Sequence, residues 1–373
     1  MDFTLNEEQV EIRDLARKIL EDRVTNEHLK NVEKQDPPWD AELWQSLAKA
    51  NLLGVALPEE HGGADLGFFA LTVLLQEIGR TVAPVPAYAC LALGALPLAR
   101  FGSDAQKQAW LPGVAEGRTL VTGALSEDDT DDPNDPGARA EEQGDGWRVS
   151  GRKLAVPFAE QAARVVLAAR AGDRIGLFLV DPKAGGVALA PQQLSNRHPH
   201  AQLELDGAPA ELLGELDDGA SLRWWSDRAI AALCCQQLGV SERALELTAE
   251  YGREREQFDV AIGSFQAFHQ RAADAYIQVE AMRMTAWEAA WRLDGDLDCG
   301  DGVAIAKFWA SEGAQFVAYG TVHLHGGVGI DVDVPLHRYF LWATQSEHLL
   351  GNARSQLRGL GERIATEGIP PAA

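Results

Sequence analysis

Mostly apolar residues at steps of three and four recur in three separate stretches of the C-terminal part of this chain. Leu233, Gln237, Val240, Ala244, Leu247 and Tyr251 form the first; Phe265, Phe268, Ala272, Ala275, Val279 and Met282 the second; Ile305, Phe308, Glu312, Phe316 and Tyr319 the third. Such spacing gathers side chains on one face of an α-helix. Long helices with one buried stripe each are expected to pack as a bundle, and the pattern sets residues 217–373 aside as a helical domain.

The N-terminal residues 1–118 also read as helical. Asn6, with Gln9 three places on, predicts an N-cap before a helix through Val10 to Leu20. Asp40 predicts the cap of a second helix through Leu43, Leu47 and Ala50, stopped by Gly54 before the Pro58 to Gly63 turn. Further helices are expected over Leu71 to Ile78 and Leu91 to Phe101. Between them and the bundle, residues 119–216 change period. Short stretches such as Trp147 to Val149, Arg164 to Leu167, Ile175 to Val180 and Gln202 to Leu205 alternate with Gly, Pro and Asp turns, which predicts a small β domain. Within it, Ser126 to Gly146 is dense in Asp, Glu, Pro and Gly and reads as a long mobile loop, whose acidic part Glu127 to Asp135 is by default a solvated tether and not a regulatory or partner-docking segment. The fold class is therefore mostly α with a central small β domain.

Against 33 basic side chains stand 56 acidic ones, a formal charge of -23. That balance repels nucleic acid and anionic membrane, and no locally basic face offsets it. Cys90, Cys234, Cys235 and Cys299 show neither metal-ligand spacing nor a disulfide framework, which fits a reducing cytoplasm. The first twenty residues are unlike a secretory signal, and no apolar run reaches the length of a membrane span.

Chemistry concentrates in Tyr251-Gly-Arg-Glu-Arg-Glu-Gln-Phe-Asp259 and, about seventy residues on, in His323-Leu-His-Gly-Gly-Val-Gly329. Arg253 and Arg255 offer planar, charge-assisted donors to phosphate oxygens, Phe258 offers an apolar wall, and Gly326, Gly327 and Gly329 let a ligand approach the backbone. The bland alternatives are an exposed charged helix end and an ordinary glycine C-cap. His323, His325 and His337 do not make a metal site, because no carboxylate or thiolate set completes the ligands.

Together with Ser264-Phe-Gln266, these residues resemble the C-terminal flavin-binding signature of the acyl-CoA dehydrogenase family. The resemblance implies an N-terminal helical domain, a middle β-barrel-like domain and a C-terminal four-helix bundle. It also implies FAD in a cleft between subunits, with one subunit's bundle holding the nucleotide end of its neighbour's cofactor. By position, Arg255 would meet the pyrophosphate, Gln257, Phe258 and Gln266 would line the same end, and the loop Gly326, Gly327, Gly329 would touch the adenosine. His323 stands where the family usually has Gln.

The ring-binding half departs from the pattern. In place of a Thr-Glu-Pro-x-x-Gly-Ser-Asp loop the chain has Ser126-Glu-Asp-Asp-Thr-Asp-Asp-Pro-Asn-Asp135, and in place of a Trp-Ile-Thr strand it has Lys153-Leu-Ala-Val-Pro157. The family's reaction removes a proton beside a thioester carbonyl and passes a hydride to flavin, so it needs a carboxylate base. The two family positions for that base fall at Ala229 and Leu350. Asp227 is two residues from the first, a turn of roughly 200° on a helix, and Glu347 is three from the second. Trp224 and Trp225 are expected to serve packing.

A pyrophosphate clamp without ring strand or base resembles the smaller, non-catalytic subunit of heteromeric acyl-CoA dehydrogenases that desaturate steroid side-chain CoA thioesters. The implied partner is a catalytic acyl-CoA dehydrogenase α subunit in a heterotetramer, with an electron-transfer flavoprotein type of acceptor. Two alternatives remain: a self-sufficient homotetramer with Asp227 as a displaced base, and a non-enzymatic scaffold subunit.

Overall fold

The computed structural model describes residues 3–368 apart from Asp129, Asp131 and Asp145. Six α-helices come first: α1 (Glu7–Arg23), α2 (Asn26–Val32), α3 (Ala41–Lys49), α4 (Gly67–Thr81), α5 (Leu96–Phe101) and α6 (Asp104–Ala115). The Asn6 side chain accepts from the Gln9 N–H and the Gln9 side chain accepts from the Asn6 N–H, the reciprocal cap that the sequence predicts. Asp40 accepts the Leu43 N–H as expected. The helix it starts ends at Lys49, however, well before Gly54, because Asn51 takes the left-handed conformation at φ 58° and turns the chain away. Upstream of α5, Tyr88–Ala95 winds as a π-helix, so the expected α-helix from Leu91 is wider over its first part. Pro97 in the first turn of α5 has no N–H for an α-type ladder across this junction.

Seven strands follow: β1 (Val121–Ala124), β2 (Arg139–Gln143), β3 (Gly146–Pro157), β4 (Arg164–Ala171), β5 (Arg174–Val180), β6 (Val187–Gln193) and β7 (Pro199–Asp217). β3, β7, β5 and β4 are joined by antiparallel ladders, and the pair Arg139↔Arg170 between β2 and β4 closes them into a small barrel. Inward residues such as Val149, Val165, Leu167, Phe178 and Leu203 fill it. The stretch read as a loop over Ser126 to Gly146 is shorter than expected. Its last part is β2, which carries charged residues outward and buries Ala138 and Ala140 beside β3, a pattern that composition alone hides.

The chain then returns to helix with α7 (Ala220–Glu254), α8 (Gln266–Asp294), α9 (Gly302–His325), α10 (Leu336–His348) and α11 (Ala353–Glu367). α7 is the axis. It crosses α4 so closely that a Cβ on Gly79 would lie 2.0 Å from the Gln236 carbonyl oxygen, and one on Gly239 would lie 1.9 Å from that of Gln76. Beside the crossing, Arg80 binds Glu242 and Glu246, while Gln76 donates to Glu242. The first two stripes behave largely as expected, with Leu233, Gln237, Val240 and Ala244 buried on α7 and Ala275, Val279 and Met282 on α8. Phe265 remains exposed. The third stripe is a correction. On α9 the core face is Val303, Ala306, Ala310, Ala314 and Val317, whereas Ile305, Glu312 and Tyr319 face outward. Small side chains let α9 sit close to α7 and α8, leaving Tyr319 exposed and Trp309 and Phe316 only partly buried against the core. Among the described residues no helix is long and apolar enough to cross a membrane.

Candidate functional site

At the end of α7, Arg255 donates its backbone N–H to the Tyr251 carbonyl and accepts from Ile262, which launches a short hairpin from the bundle. Glu256–Gln257 pairs with Val260–Ala261, and the two residues of the turn, Phe258 and Asp259, lie at φ 58° and 65°. Tight hairpins need positive φ at both positions, usually supplied by Asn and Gly. Here a phenylalanine takes the first one and is 89% exposed. Arg253, Arg255, Gln257 and Gln266 are also exposed, and among the described residues neither arginine is paired with a carboxylate.

The second element ends α9. Gly326 takes φ 64°, ψ −144°, open in practice only to glycine, and the chain continues as a 3₁₀ turn over Gly326–Ile330. A Cβ on Gly326 or Gly327 would meet no heavy atom within 4 Å, so the backbone is bare to solvent there. Gly329 differs. It is buried, and a Cβ on it would come 2.8 Å from the Val322 carbonyl, which makes it a packing glycine. His323 is exposed at the rim. The two elements are joined by a contact that spacing does not reveal: the Tyr251 and His325 rings stack at 4.3 Å and 15°. Two unpaired guanidiniums, an exposed aromatic ring and open glycines make one arm suited to an anionic, partly aromatic ligand such as a dinucleotide tail.

The segments that the family resemblance assigns to the flavin ring and the base converge on a separate cavity. Ser126, Leu154, Ala155, Pro157 and Leu350 line it together with Phe158, His198 and Trp342. Its volume is about 50 Å³. Ligand sites typically offer about 300–1,000 Å³ and a water occupies about 30 Å³, so this space does not fit a three-ring flavin. The filling is aromatic: Phe158 packs edge-on to His198 at 5.5 Å, and His198 edge-on to Trp342 at 4.9 Å. Burial drives the His198 imidazole down to about 3 and that of His200 to about 4, so both are neutral. At Ala155 the β3 backbone bulges out of register with φ 51°, and its N–H is taken by the Gln192 side chain.

No carboxylate lines this cavity among the described residues. Ala229 is fully buried, its carbonyl accepting the Tyr88 hydroxyl, and Leu350 sits at φ 57° on the cavity wall. Glu347 turns toward α9, where its carboxylate accepts from Gln315. Asp227 lines a different crevice of about 440 Å³ with Asn134, Arg358 and Arg363. Burial raises its pKa, opposed by the neighbouring arginines. Trp224 packs on Phe101 and under the Arg228 guanidinium, and Trp225 is wholly buried, so both serve packing.

The acidic segment holds the largest surprise. The Glu127 side chain is only 7% exposed and accepts from the Lys153 ammonium and the Gly137 N–H, Asp128 binds Arg152, and Asp135 binds Arg170. The expected solvated tether is therefore bolted to the barrel. Nothing in composition distinguishes Glu127 from its neighbours; its partner Lys153, the lysine that precedes the apolar run Leu154 to Pro157, was the available signal.

Residues 6–118 match the family described as acyl-CoA dehydrogenase, N-terminal domain, and residues 228–365 that described as acyl-CoA dehydrogenase, C-terminal domain. The acyl-CoA dehydrogenase FadE27 of Mycobacterium tuberculosis is 37% identical over 98% of this chain and 99% of its own length. The chain belongs to the acyl-CoA dehydrogenase family. Members of the family typically use FAD. Among solved structures, a chain of a variant of the Tcur3481-Tcur3483 steroid ACAD superposes with a TM-score of 0.93 at 45% identity, covering 97% of this chain and 99% of that one. A chain of the ChsE4-ChsE5 complex from Mycobacterium tuberculosis also gives 0.93, at 37% identity over 100% of both. The acyl-CoA dehydrogenase fold, with helical, β and helical parts in that order, is thus the one read from the sequence.

Proposed function

We propose that this chain is the non-catalytic subunit of a heteromeric, FAD-dependent acyl-CoA dehydrogenase. It supplies the adenine and pyrophosphate half of the cofactor site to a catalytic acyl-CoA dehydrogenase subunit. One observation carries the reading: an exposed arm with open Gly326 and Gly327 and an Arg255 unpaired among the described residues coexists with an internal cleft of about 50 Å³ that no carboxylate of the described residues enters. Arg255, Gln257, Phe258, Gln266 and His323 flank the nucleotide end in this reading. The steroid ACAD and the two-chain complex among its structural relatives support a partner subunit and a steroid side-chain CoA thioester as substrate.

Visible absorbance tests it. The chain purified alone should be colourless or weakly flavinated, and co-expression with a longer acyl-CoA dehydrogenase that carries a helix Glu should give a yellow, active complex. Stoichiometric flavin in the chain alone, bleached by an acyl-CoA, would end the proposal. The raised pKa of Asp227 and its place in a crevice with two arginines favour one competitor, a self-sufficient enzyme with Asp227 as base. Asp227→Asn separates them: turnover stays nearly intact if Asp227 is a bystander and falls about a thousandfold if it is the base.

A further inference from the structure

We propose that the crevice where the start of α1, the first turn of α4 and the last turns of α8 meet binds a small quaternary ammonium compound. It encloses about 200 Å³ and is lined by Phe3, Phe69, Trp287, Trp291 and Asp294, together with Asn6 and Gln9. Drug-sized ligands need about 300–1,000 Å³ and a water about 30 Å³, so the space suits a group of a few heavy atoms. Trp287, Trp291 and Asp294 follow one another on α8 at steps of four and three, which brings them to one face. The Trp287 ring is held edge-on to Phe69 at 6.0 Å and donates its Nε1–H to Gln76. Trp291 and Phe3 remain 41% and 37% exposed, so both rings are within reach of a solute. The Asp294 carboxylate accepts the Phe69 N–H at 3.1 Å, and a Cβ on Gly67 would lie 2.4 Å from the same oxygen, so the glycine makes room for it.

Charge and hydrogen bonding select the ligand. Aromatic faces attract cations, and among the described residues one carboxylate but neither Lys nor Arg lines the crevice. Arg283, 5.8 Å from the Trp287 ring centre, is paired with Glu242 and Glu280. A net charge of -23 adds a field that favours cations. A primary ammonium carries three N–H donors that must be matched when it leaves water. The amide oxygens of the crevice already serve the α1 cap, Asn6 accepting from the Gln9 N–H and Gln9 from the Asn6 N–H, and one Asp294 oxygen serves Phe69. A quaternary ammonium has no N–H to satisfy and offers methyl groups to the rings. The site is independent of the cofactor reading, because none of these residues belongs to the arm or to the filled cleft.

Fluorine NMR of the full chain labelled with fluorotryptophan tests it, with Trp291→Phe assigning one of the ten tryptophan signals. Choline should shift the Trp291 signal to saturation. Dimethylbutanol, in which carbon replaces the charged nitrogen, should bind about tenfold more weakly, and so in lesser degree should Nα-acetyl-lysine amide. Asp294→Asn, which keeps an acceptor for the Phe69 N–H, should weaken choline by about fivefold. If that variant folds poorly, the ranking of the three ligands on the wild type decides alone. A Trp291 signal that choline leaves unmoved, equal binding of choline and the alcohol, tighter binding of the lysine amide, or a folded Asp294→Asn that binds choline as the wild type does would each overturn the assignment.

Discussion

The His325 imidazole lies flat against the Tyr251 ring, centroids 4.3 Å apart and planes 15° from parallel, and this stack ties the Arg255 hairpin to the Gly326 turn. Its Nδ1 bonds with the Thr321 carbonyl, and burial holds its pKa below the ordinary imidazole value, so the ring that stacks is the neutral one. Aromatic pairs contribute about 0.5–1.5 kcal/mol beyond their buried area. His325→Ala should therefore lower the unfolding free energy by about 1 kcal/mol, and in the complex it should weaken flavin retention although His325 is not itself part of the arm. Flavin release in a titration against denaturant checks both. Equal retention in wild type and variant would show that the two elements do not need this tie.

Phe258 makes a second case of local strain serving presentation. A non-glycine residue in the left-handed region carries roughly 1–3 kcal/mol of backbone strain, and at 89% exposure Phe258 recovers little of it by packing. Phe258→Asn suits the turn better and should raise thermal stability, by about 1 kcal/mol, while loosening the cofactor in the complex. Calorimetry on the chain and flavin content of the complex should move in opposite directions.

What the sequence discloses and what it hides divide along physical lines. Caps at Asn6 and Asp40, the α7 stripe and the order of helical and β parts are local or periodic, and they are read correctly. The exposure of Arg255 and the left-handed turn at Gly326 also follow from residue type. The α9 stripe misleads because periodicity groups residues on one face without saying whether that face meets the core or solvent. Glu127 and the Tyr251–His325 stack are invisible for a related reason: both depend on partners 26 or more residues away. The filled cleft belongs to the same class, since Phe158, His198 and Trp342 meet only in the folded chain.

The neutral histidines of that cleft give a pH dependence of definite sign. The folded chain holds His198 and His200 unprotonated to about 3 and 4, whereas an unfolded histidine takes a proton near 6.5. The unfolded state therefore binds more protons below that value, and stability falls as the solution is acidified. Their contribution is complete above about pH 6.5 and is lost progressively down to the folded values, at about 1.4 kcal/mol per pH unit for each histidine. His198→Phe should flatten this slope between pH 6 and 4 in urea unfolding, roughly halving the share due to the pair. An unchanged slope would mean that His198 is solvated in the folded chain.

The buried pair of Lys153 and Glu127 supports the last prediction. Lys153 is 1% exposed, donates to Glu127 and to the Ala168 carbonyl at 2.9 Å, and burial lowers its pKa. Taking both charges out of water offsets most of their attraction, so the pair itself adds little net stability, but removing one partner strands the other. Glu127→Leu should destabilise the chain by about 3–5 kcal/mol, and the loss should be greater than that from Asp128→Leu, whose partner Arg152 is half exposed. Combining Glu127→Leu with Lys153→Met removes the stranded charge and should restore most of the stability, read from the midpoint of urea unfolding. The exposed Gly137 N–H loses its bond to Glu127, 2.6 Å long, in both variants and turns to water, so the recovery should be incomplete by about the value of one hydrogen bond, roughly 1 kcal/mol. A double variant as unstable as the single would show that Glu127 acts through the loop backbone and not through the lysine.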